Sequence, residues 1–246
     1  MLDLLDGADQ TQNANRISHL IEDSRTLRKC ASALPCTTMR CSILHEAGKL
    51  KAFSKDEVIF WDGETDKSVY LIVSGIVRGA KLLCDGRRQV TRFTFPGELL
   101  GYGRIERMSF TAEAITSVNA YVISRQVLDD VMHTTPCIQR LIIQSILEEL
   151  HETQCRVTAL ARLTARERIA QFLHNICTRS SLDGEGAFHL PMPRQDIADH
   201  LGLTIETVSR VFSKLKRENR IHLLPSSRVR IPNPSIFADE LLANAA

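Results

Sequence analysis

Glu206, Ser209 and Arg210 stand at i, i+3 and i+4, a spacing that sets three hydrogen-bonding side chains beside one another on a helix. Their chemistry suits the edges of base pairs. An arginine donates two hydrogen bonds to guanine O6 and N7, a glutamate accepts from the cytosine amino group, and a serine does either or touches the thymine methyl. A carboxylate aimed at DNA is repelled by phosphates unless it reads a base, so Glu206 beside Arg210 suggests sequence readout. Lys214, Lys216, Arg217 and Arg220 follow and suit the phosphate backbone. The plain alternative is a surface i,i+4 ion pair worth about 0.2–0.5 kcal/mol.

The elements that must position this trio are legible in residues 191–215. Arg194–Leu201 reads as a short helix, Gly202 as a left-handed turn residue, and a second helix starts at about Ile205. Ala198 is small where two helices cross closely. Ile197, Leu201 and Leu203 face inward, as do Val208, Val211, Phe212 and Leu215, which leaves the trio on the opposite face. In a helix-turn-helix the N-terminal residues of the second helix enter the major groove. Arg194, Gln195, Thr204, Ile205 and Thr207 are then further candidates for contact with double-stranded DNA. Ile221–Leu224, Pro225-Ser-Ser227 and Val229–Ile231 read as a hairpin, the wing of a winged helix.

Upstream, Thr164-Ala-Arg-Glu167 fits a capping box, so a helix begins there, with Ile169, Phe172, Leu173 and Ile176 inward and Asp183-Gly-Glu-Gly186 as the loop after it. A domain boundary falls near Leu163. After Pro136, Ile138, Ile142, Ile146, Leu150, Val157 and Leu160 lay an apolar stripe along a long helix, which packs on its own chain or pairs with a twin. Glu57–Trp61, Val69–Val73, Ile76–Leu83, Val90–Phe95, Phe110–Ala114 and Ala120–Ile123 are candidate strands. Asp62-Gly63, Ser74-Gly75, Asp85-Gly86 and Pro96-Gly97 are the turns between them. Thr91, Phe93 and Phe95 alternate with Val90, Arg92 and Thr94, as in a strand with one buried face. Short strands at this spacing suggest a β-roll or sandwich, and the chain as a whole is α+β. Residues 1–48 read as an arm and 236–246 as a tail.

In 246 residues, 43% are hydrophobic and 24% charged, which excludes wholesale disorder. The longest stretch without Asp, Glu, Lys or Arg is eleven residues, Ala114 to Ser124, too short for a membrane span. The N-terminus lacks the basic and apolar regions of a signal peptide, so a cytoplasmic protein without a membrane partner is expected. The net charge of +2 hides an asymmetry: Arg162 to Pro232 carries 12 Lys+Arg against 7 Asp+Glu, as expected of a part that meets a polyanion. Seven cysteines read as thiols or metal ligands rather than disulfides. Cys137, Cys155 and Cys177 fall in helical stretches and read as small buried hydrophobes. An enzyme is not expected: the strand region Val58–Ser124 contains no histidine, and the eight histidines include no close metal-ligand pair.

A roll, a long helix and a C-terminal helix-turn-helix with Leu201-Gly-Leu-Thr-Ile-Glu-Thr-Val-Ser-Arg210 resemble the cyclic-AMP-receptor/FNR family of bacterial transcription regulators over about residues 50–235. Glu206-Thr-Val-Ser-Arg210 is similar to the FNR and FixK branch, which reads TTGAT-type half-sites and regulates low-oxygen and nitrogen-fixation genes. The resemblance implies a cyclic-nucleotide-binding-like jelly roll over 49–135, a dimerisation helix over 136–162 and a winged helix-turn-helix over 163–235. It also implies a homodimer through Ile138, Ile142, Ile146, Leu150 and Val157, and RNA polymerase as a partner. Of the family's two sensing chemistries, cyclic nucleotide binding needs adjacent Arg and Ser/Thr after Gly97-Glu98, and Glu106-Arg-Met-Ser-Phe110 lacks them. The iron–sulfur cluster of FNR-type sensors needs three N-terminal cysteines and one in the roll. Cys30-x5-Cys36-x4-Cys41 lacks the tight pair, the fourth would fall near Tyr121, and Cys84 lies elsewhere in the roll. The reading without a cofactor is a FixK-like activator; the alternative is an oxygen sensor with a cluster on Cys30, Cys36 and Cys41, and a ligand-binding signalling module or a cupin-like enzyme is more remote.

Overall fold

The computed structural model describes residues 43–65, 68–102 and 107–233. Residues 43–47 are helical, and eight strands follow: β1 (Lys49–Phe53), β2 (Val58–Phe60), β3 (Ser68–Ser74), β4 (Val77–Leu82), β5 (Arg88–Thr94), β6 (Leu99–Leu100), β7 (Thr111–Ala114) and β8 (Val118–Ser124). They form two four-stranded sheets, β1-β8-β3-β6 and β2-β7-β4-β5. Between the sheets lies a core that includes Phe53, Phe60, Tyr70, Ile72, Val77, Leu100 and Ala112. The four turn glycines, Gly63, Gly75, Gly86 and Gly97, all take positive φ.

The expected strands are present, with ends shifted by a few residues, and β1 and β6 were not foreseen. Five-residue β1 buries only Phe53, so the alternation of Lys49-Leu-Lys-Ala52 does not correspond to a buried face. The expected faces of β5 are corrected by its register. Arg92 pairs with Gly79 and Val90 with Ala80, which leaves Thr91 in a bulge. The extra residue reverses the alternation and brings Val90 onto the same side as Phe93 and Phe95, all three in one core cluster.

Two helices follow, α1 (Arg125–Thr134) and α2 (Pro136–Arg162). α1 was not foreseen; Ser124 caps it by accepting from the Val127 N–H at 3.3 Å. Ile138 and Ile142 of α2 lie with Leu128, Val131, Val69 and Leu99 in a second core cluster. This corrects the expected stripe. Ile138 and Ile142 are 0% and 5% exposed, covered by their own chain, whereas Ile146, Leu150 and Val157 are 45%, 52% and 61% exposed. The cause is angular: steps of four residues drift by roughly 40° each on a helix of 3.6 residues per turn. Ile143, Leu147 and Leu160 extend the bare face.

Only Leu163 and Thr164 separate α2 from α3 (Ala165–Arg179). The capping box is formed: the Glu167 carboxylate accepts from the Thr164 N–H at 2.7 Å, and Thr164 Oγ1 from the Glu167 N–H at 3.4 Å. β9 (Ala187–His189), α4 (Arg194–Leu201), α5 (Ile205–Arg217), β10 (His222–Leu224) and β11 (Arg228–Arg230) are the remaining elements among the described residues, the strands ordered β10-β11-β9. One core cluster runs from Val90, Phe93 and Phe95 of the roll into Phe172, Leu173, Ile197, Val208 and Phe212. The C-terminal unit is therefore packed on the β2-β7-β4-β5 sheet.

Candidate nucleic-acid interface

α4 and α5 meet at Gly202, whose φ of 63° and ψ of 41° are left-handed, a conformation that costs other residues roughly 1–2 kcal/mol. A Cβ there would also stand 3.2 Å from Leu160 Cδ2. Leu203 N–H donates to the Ala198 carbonyl at 3.0 Å, and Ala198 is fully buried at the crossing. Val208, Val211, Phe212 and Leu215 are buried. That burial fixes the rotation of α5 and leaves Glu206, Ser209, Arg210, Lys214, Lys216 and Arg217 exposed.

Thr204 begins α5 as its N-cap, accepting from the Thr207 N–H at 3.3 Å. Glu206, in the first turn, has its carboxyl below the usual range because its own backbone N–H and the Thr204 hydroxyl donate to it. The surface pair of Glu206 with Arg210 is not formed: neither residue is in an ion pair among the described residues. The other candidates are less free. Arg194 lies over the Phe212 ring, 3.4 Å from its centroid. Gln195 Nε2 donates to Asp199 Oδ1 at 2.6 Å, and Ile205 presents an apolar side chain. The wing is the β10–β11 hairpin, whose turn places Ser226 and Ser227 at positive φ. The geometry brings the base-reading trio, the basic end of α5 and the wing into one C-terminal unit.

Sequence reasoning missed what holds this unit against the roll. Asp196 is bound by Arg78 Nη1 at 2.8 Å and by Arg88, and Arg88 Nε also donates to Asp199 at 2.8 Å. Arg179, at the end of α3, donates to both oxygens of Glu98 at 2.7 and 2.8 Å. Glu98 thus serves a structural ion pair. These partners lie 81 to 118 positions apart, and no local pattern announces them.

The sensing chemistries fare differently. Inside the roll, Glu149 of α2 accepts from Arg92 Nη1 at 2.8 Å and from Tyr102 Oη at 2.6 Å. The cleft there, bordered by Arg92, Tyr102, Arg107 and Glu149, has a volume of about 50 Å³. Small-molecule pockets commonly run to roughly 300–1,000 Å³, and the internal carboxylate of Glu149 already takes Arg92 Nη1 and Tyr102 Oη as donors. The described residues do not fit a cyclic nucleotide. Cys30, Cys36 and Cys41 lie outside the described residues. Cys84 is exposed in the turn after β4, and Cys137, Cys155 and Cys177 are half-buried rather than buried. Among the described residues no cluster of three potential metal ligands occurs, and no helix is long and apolar enough to cross a membrane.

A β-roll, a long helix with one bare apolar face and a basic winged helix-turn-helix define a DNA-binding regulator. The chain belongs to the Crp/FNR family of transcription regulators: residues 167–239 match the Crp-like helix-turn-helix domain, residues 50–135 match the cyclic nucleotide-binding domain, and family members exceed 30% identity over most of the chain. It is 38% identical over 193 residues to the nitrogen fixation regulation protein FixK of Azorhizobium caulinodans, covering 76% of this chain and 77% of that protein. It is 39% identical over 187 residues to the transcriptional activatory protein AadR of Rhodopseudomonas palustris, covering 75% and 78%. The solved structure of FixK2 from Bradyrhizobium japonicum superposes with a TM-score of 0.73 at 32% identity, covering 78% of this chain and 96% of that one.

Proposed function

We propose that this chain is a homodimeric, cytoplasmic activator of low-oxygen and nitrogen-fixation genes that binds a TTGAT-type palindrome and engages RNA polymerase there. The observation that carries the reading is the N-terminal half of α5, which holds Glu206, Ser209 and Arg210 exposed on a capped helix, with neither charge in an ion pair among the described residues. Arg210 reads guanine, Glu206 accepts from a cytosine amino group, and Ser209 contacts a neighbouring base. Lys214 and Arg217, with Gln195, Thr204 and Thr207 at the helix starts, contact the backbone. In this reading residues 49–135 are the roll, 136–162 the dimerisation helix and 163–235 the DNA-binding domain. Dimerisation uses the bare face of α2, from Ile143 to Leu160, and sets two copies of α5 against half-sites one helical turn apart. The names of the relatives support the regulon, and the small cleft of the roll, with Glu149 on Arg92 and Tyr102, supports an activator that works without a bound nucleotide.

Fluorescence anisotropy of the purified protein on a TTGAT palindrome and on a scrambled duplex tests the reading, at one salt concentration because affinity depends on it. Specific binding in air is expected. Equal affinity for both duplexes overturns sequence readout, and specific binding only without air transfers control to Cys30, Cys36 and Cys41.

A further inference from the structure

Where β5, the C-terminal half of α2, α3 and the end of α4 converge, a cavity of about 80 Å³ opens between the roll and the DNA-binding unit. Its wall includes Arg92, Arg156 and Arg168 and one carboxylate, Glu152, with Cys155, Phe172 and His200. The carboxylates nearby are already engaged: Glu149 by Arg92 and Tyr102, and Glu152 by Arg179 at 3.2 Å. Among the described residues Arg156 is in no ion pair, and its hydrogen bond goes to Thr153 Oγ1 at 3.3 Å. Arg92 Nε is buried without an acceptor. Arg168 donates to the carbonyls of Leu160, Leu163 and Leu201, which offset no full charge. The cavity is left with an excess of positive charge and with donors lacking acceptors.

A half-buried guanidinium without an anion is costly, since desolvation removes water and nothing replaces it. Burial lowers the affinity of Arg156 for its proton, in keeping with that geometry. A planar guanidinium matches the oxygens of a carboxylate or phosphate. Roughly 10–15 Å³ suffices for one water, so this space admits an anion of several heavy atoms.

We propose that this cavity binds a small oxyanion, a carboxylate or a phosphate group, held by Arg156 and by Arg92 Nε, with Phe172 and His200 against the body of the ligand. The site draws on both the roll and the DNA-binding unit, so its occupancy is coupled to their relative position. Cys155 reports on it, lying next to Arg156 in the cavity wall.

The test uses the full chain without DNA, so that it stands apart from the reading of DNA recognition. Alkylation by iodoacetate, an anion, is compared with alkylation by neutral iodoacetamide at fixed ionic strength, with modification at each cysteine read by peptide mass spectrometry. Exposed Cys84 is the reference, because Arg87 in its turn is paired with Asp85 and Arg88 with Asp196 and Asp199. At Cys155 the iodoacetate-to-iodoacetamide rate ratio is expected to exceed that at Cys84 by about tenfold, the lower end of what a focused positive potential produces. Arg156→Gln removes the excess. Protection of Cys155 by added phosphate assigns a phosphate-type ligand, and protection by acetate alone a carboxylate. A ratio at Cys155 equal to that at Cys84, or one unchanged in Arg156→Gln, overturns the proposal. Should circular dichroism show that variant misfolded, protection of the wild-type thiol decides, and its absence with both anions overturns the proposal.

Discussion

Asp196 of α4 accepts a 2.8 Å hydrogen bond from Arg78 Nη1 of β4, across 118 positions of sequence. The carboxylate is 1% exposed and is also bound by Arg88, while Arg78 reaches Glu113 at 2.6 Å. Removing the shared anion leaves two arginines facing each other without it. Asp196→Ala is expected to cost about 3 kcal/mol, the scale for breaking a buried ion pair from one side. The exposed pair of Asp85 with Arg87 is the control, and Asp85→Ala should leave the urea midpoint in place. Equal midpoints for both variants would remove the clasp from the stability of the fold.

The two ends of the apolar stripe on α2 should respond differently to charge. Leu150→Glu falls on the bare face and is expected to yield a folded monomer, seen as a halved mass in light scattering. Ile142→Glu falls in the roll's own cluster and is expected to lose about 3 kcal/mol or more of stability. A dimeric Leu150→Glu would place the partner on another surface.

Arg210→Ala is expected to weaken binding by about 1–3 kcal/mol on the palindrome, with the loss confined to one guanine position. Anisotropy on duplexes changed base by base measures this. Lys214→Ala should weaken all sequences alike and lower the salt slope by about one. An equal loss on every duplex for Arg210→Ala would reassign it to the backbone.

His200 gives the protein a pH dependence of known sign. Its ring lies 5.1 Å from Phe93 and 5.7 Å from Phe172, centroid to centroid. Desolvation there, with Arg156 nearby, lowers its pKa from 6.5 to about 4, against the pull of the Val90 carbonyl. The unfolded chain therefore binds a proton at a pH where the folded protein does not. This contribution is full above pH 6.5 and falls as the pH drops, until it is gone below about pH 4. The window spans about 3 kcal/mol. Urea unfolding at pH 7 and pH 5 should show a smaller difference in His200→Gln than in the wild type, and identical differences would clear the histidine of any part.

The helix-turn-helix was legible almost to the residue. Arg194, Gly202 and Ile205 mark the start of α4, the turn and the start of α5 as the sequence suggests, because local rules govern all three: helical period, left-handed turn and N-cap. Phe93 shows where local rules stop. Its alternation with Thr91 was plain, but the bulge opposite Gly79 and Ala80 is set by the partner strand. Ile138 and Ile142 failed for a related reason, since spacing gives a helix an apolar side without saying whose surface covers it. The clasp of Arg78 and Arg88 on Asp196 had no local signal at all. An aspartate in the first turn of a helix reads as an exposed favourable charge, and only the folded chain brings the arginines to it.

The two-residue link between α2 and α3 makes residue count a form of timing. α2 is 27 residues long, about 40 Å of rigid shaft, with the proposed pairing face along it from Ile143 to Leu160 and the recognition unit beyond its C-terminal end. Leu163 and Thr164 are too few to act as a slack tether. A single residue inserted between Val157 and Arg162 would turn everything beyond it by roughly 100°, as a slipped tooth shifts a camshaft. In the proposed dimer the phase between the two copies of α5 is thus written in the number of residues along the shaft.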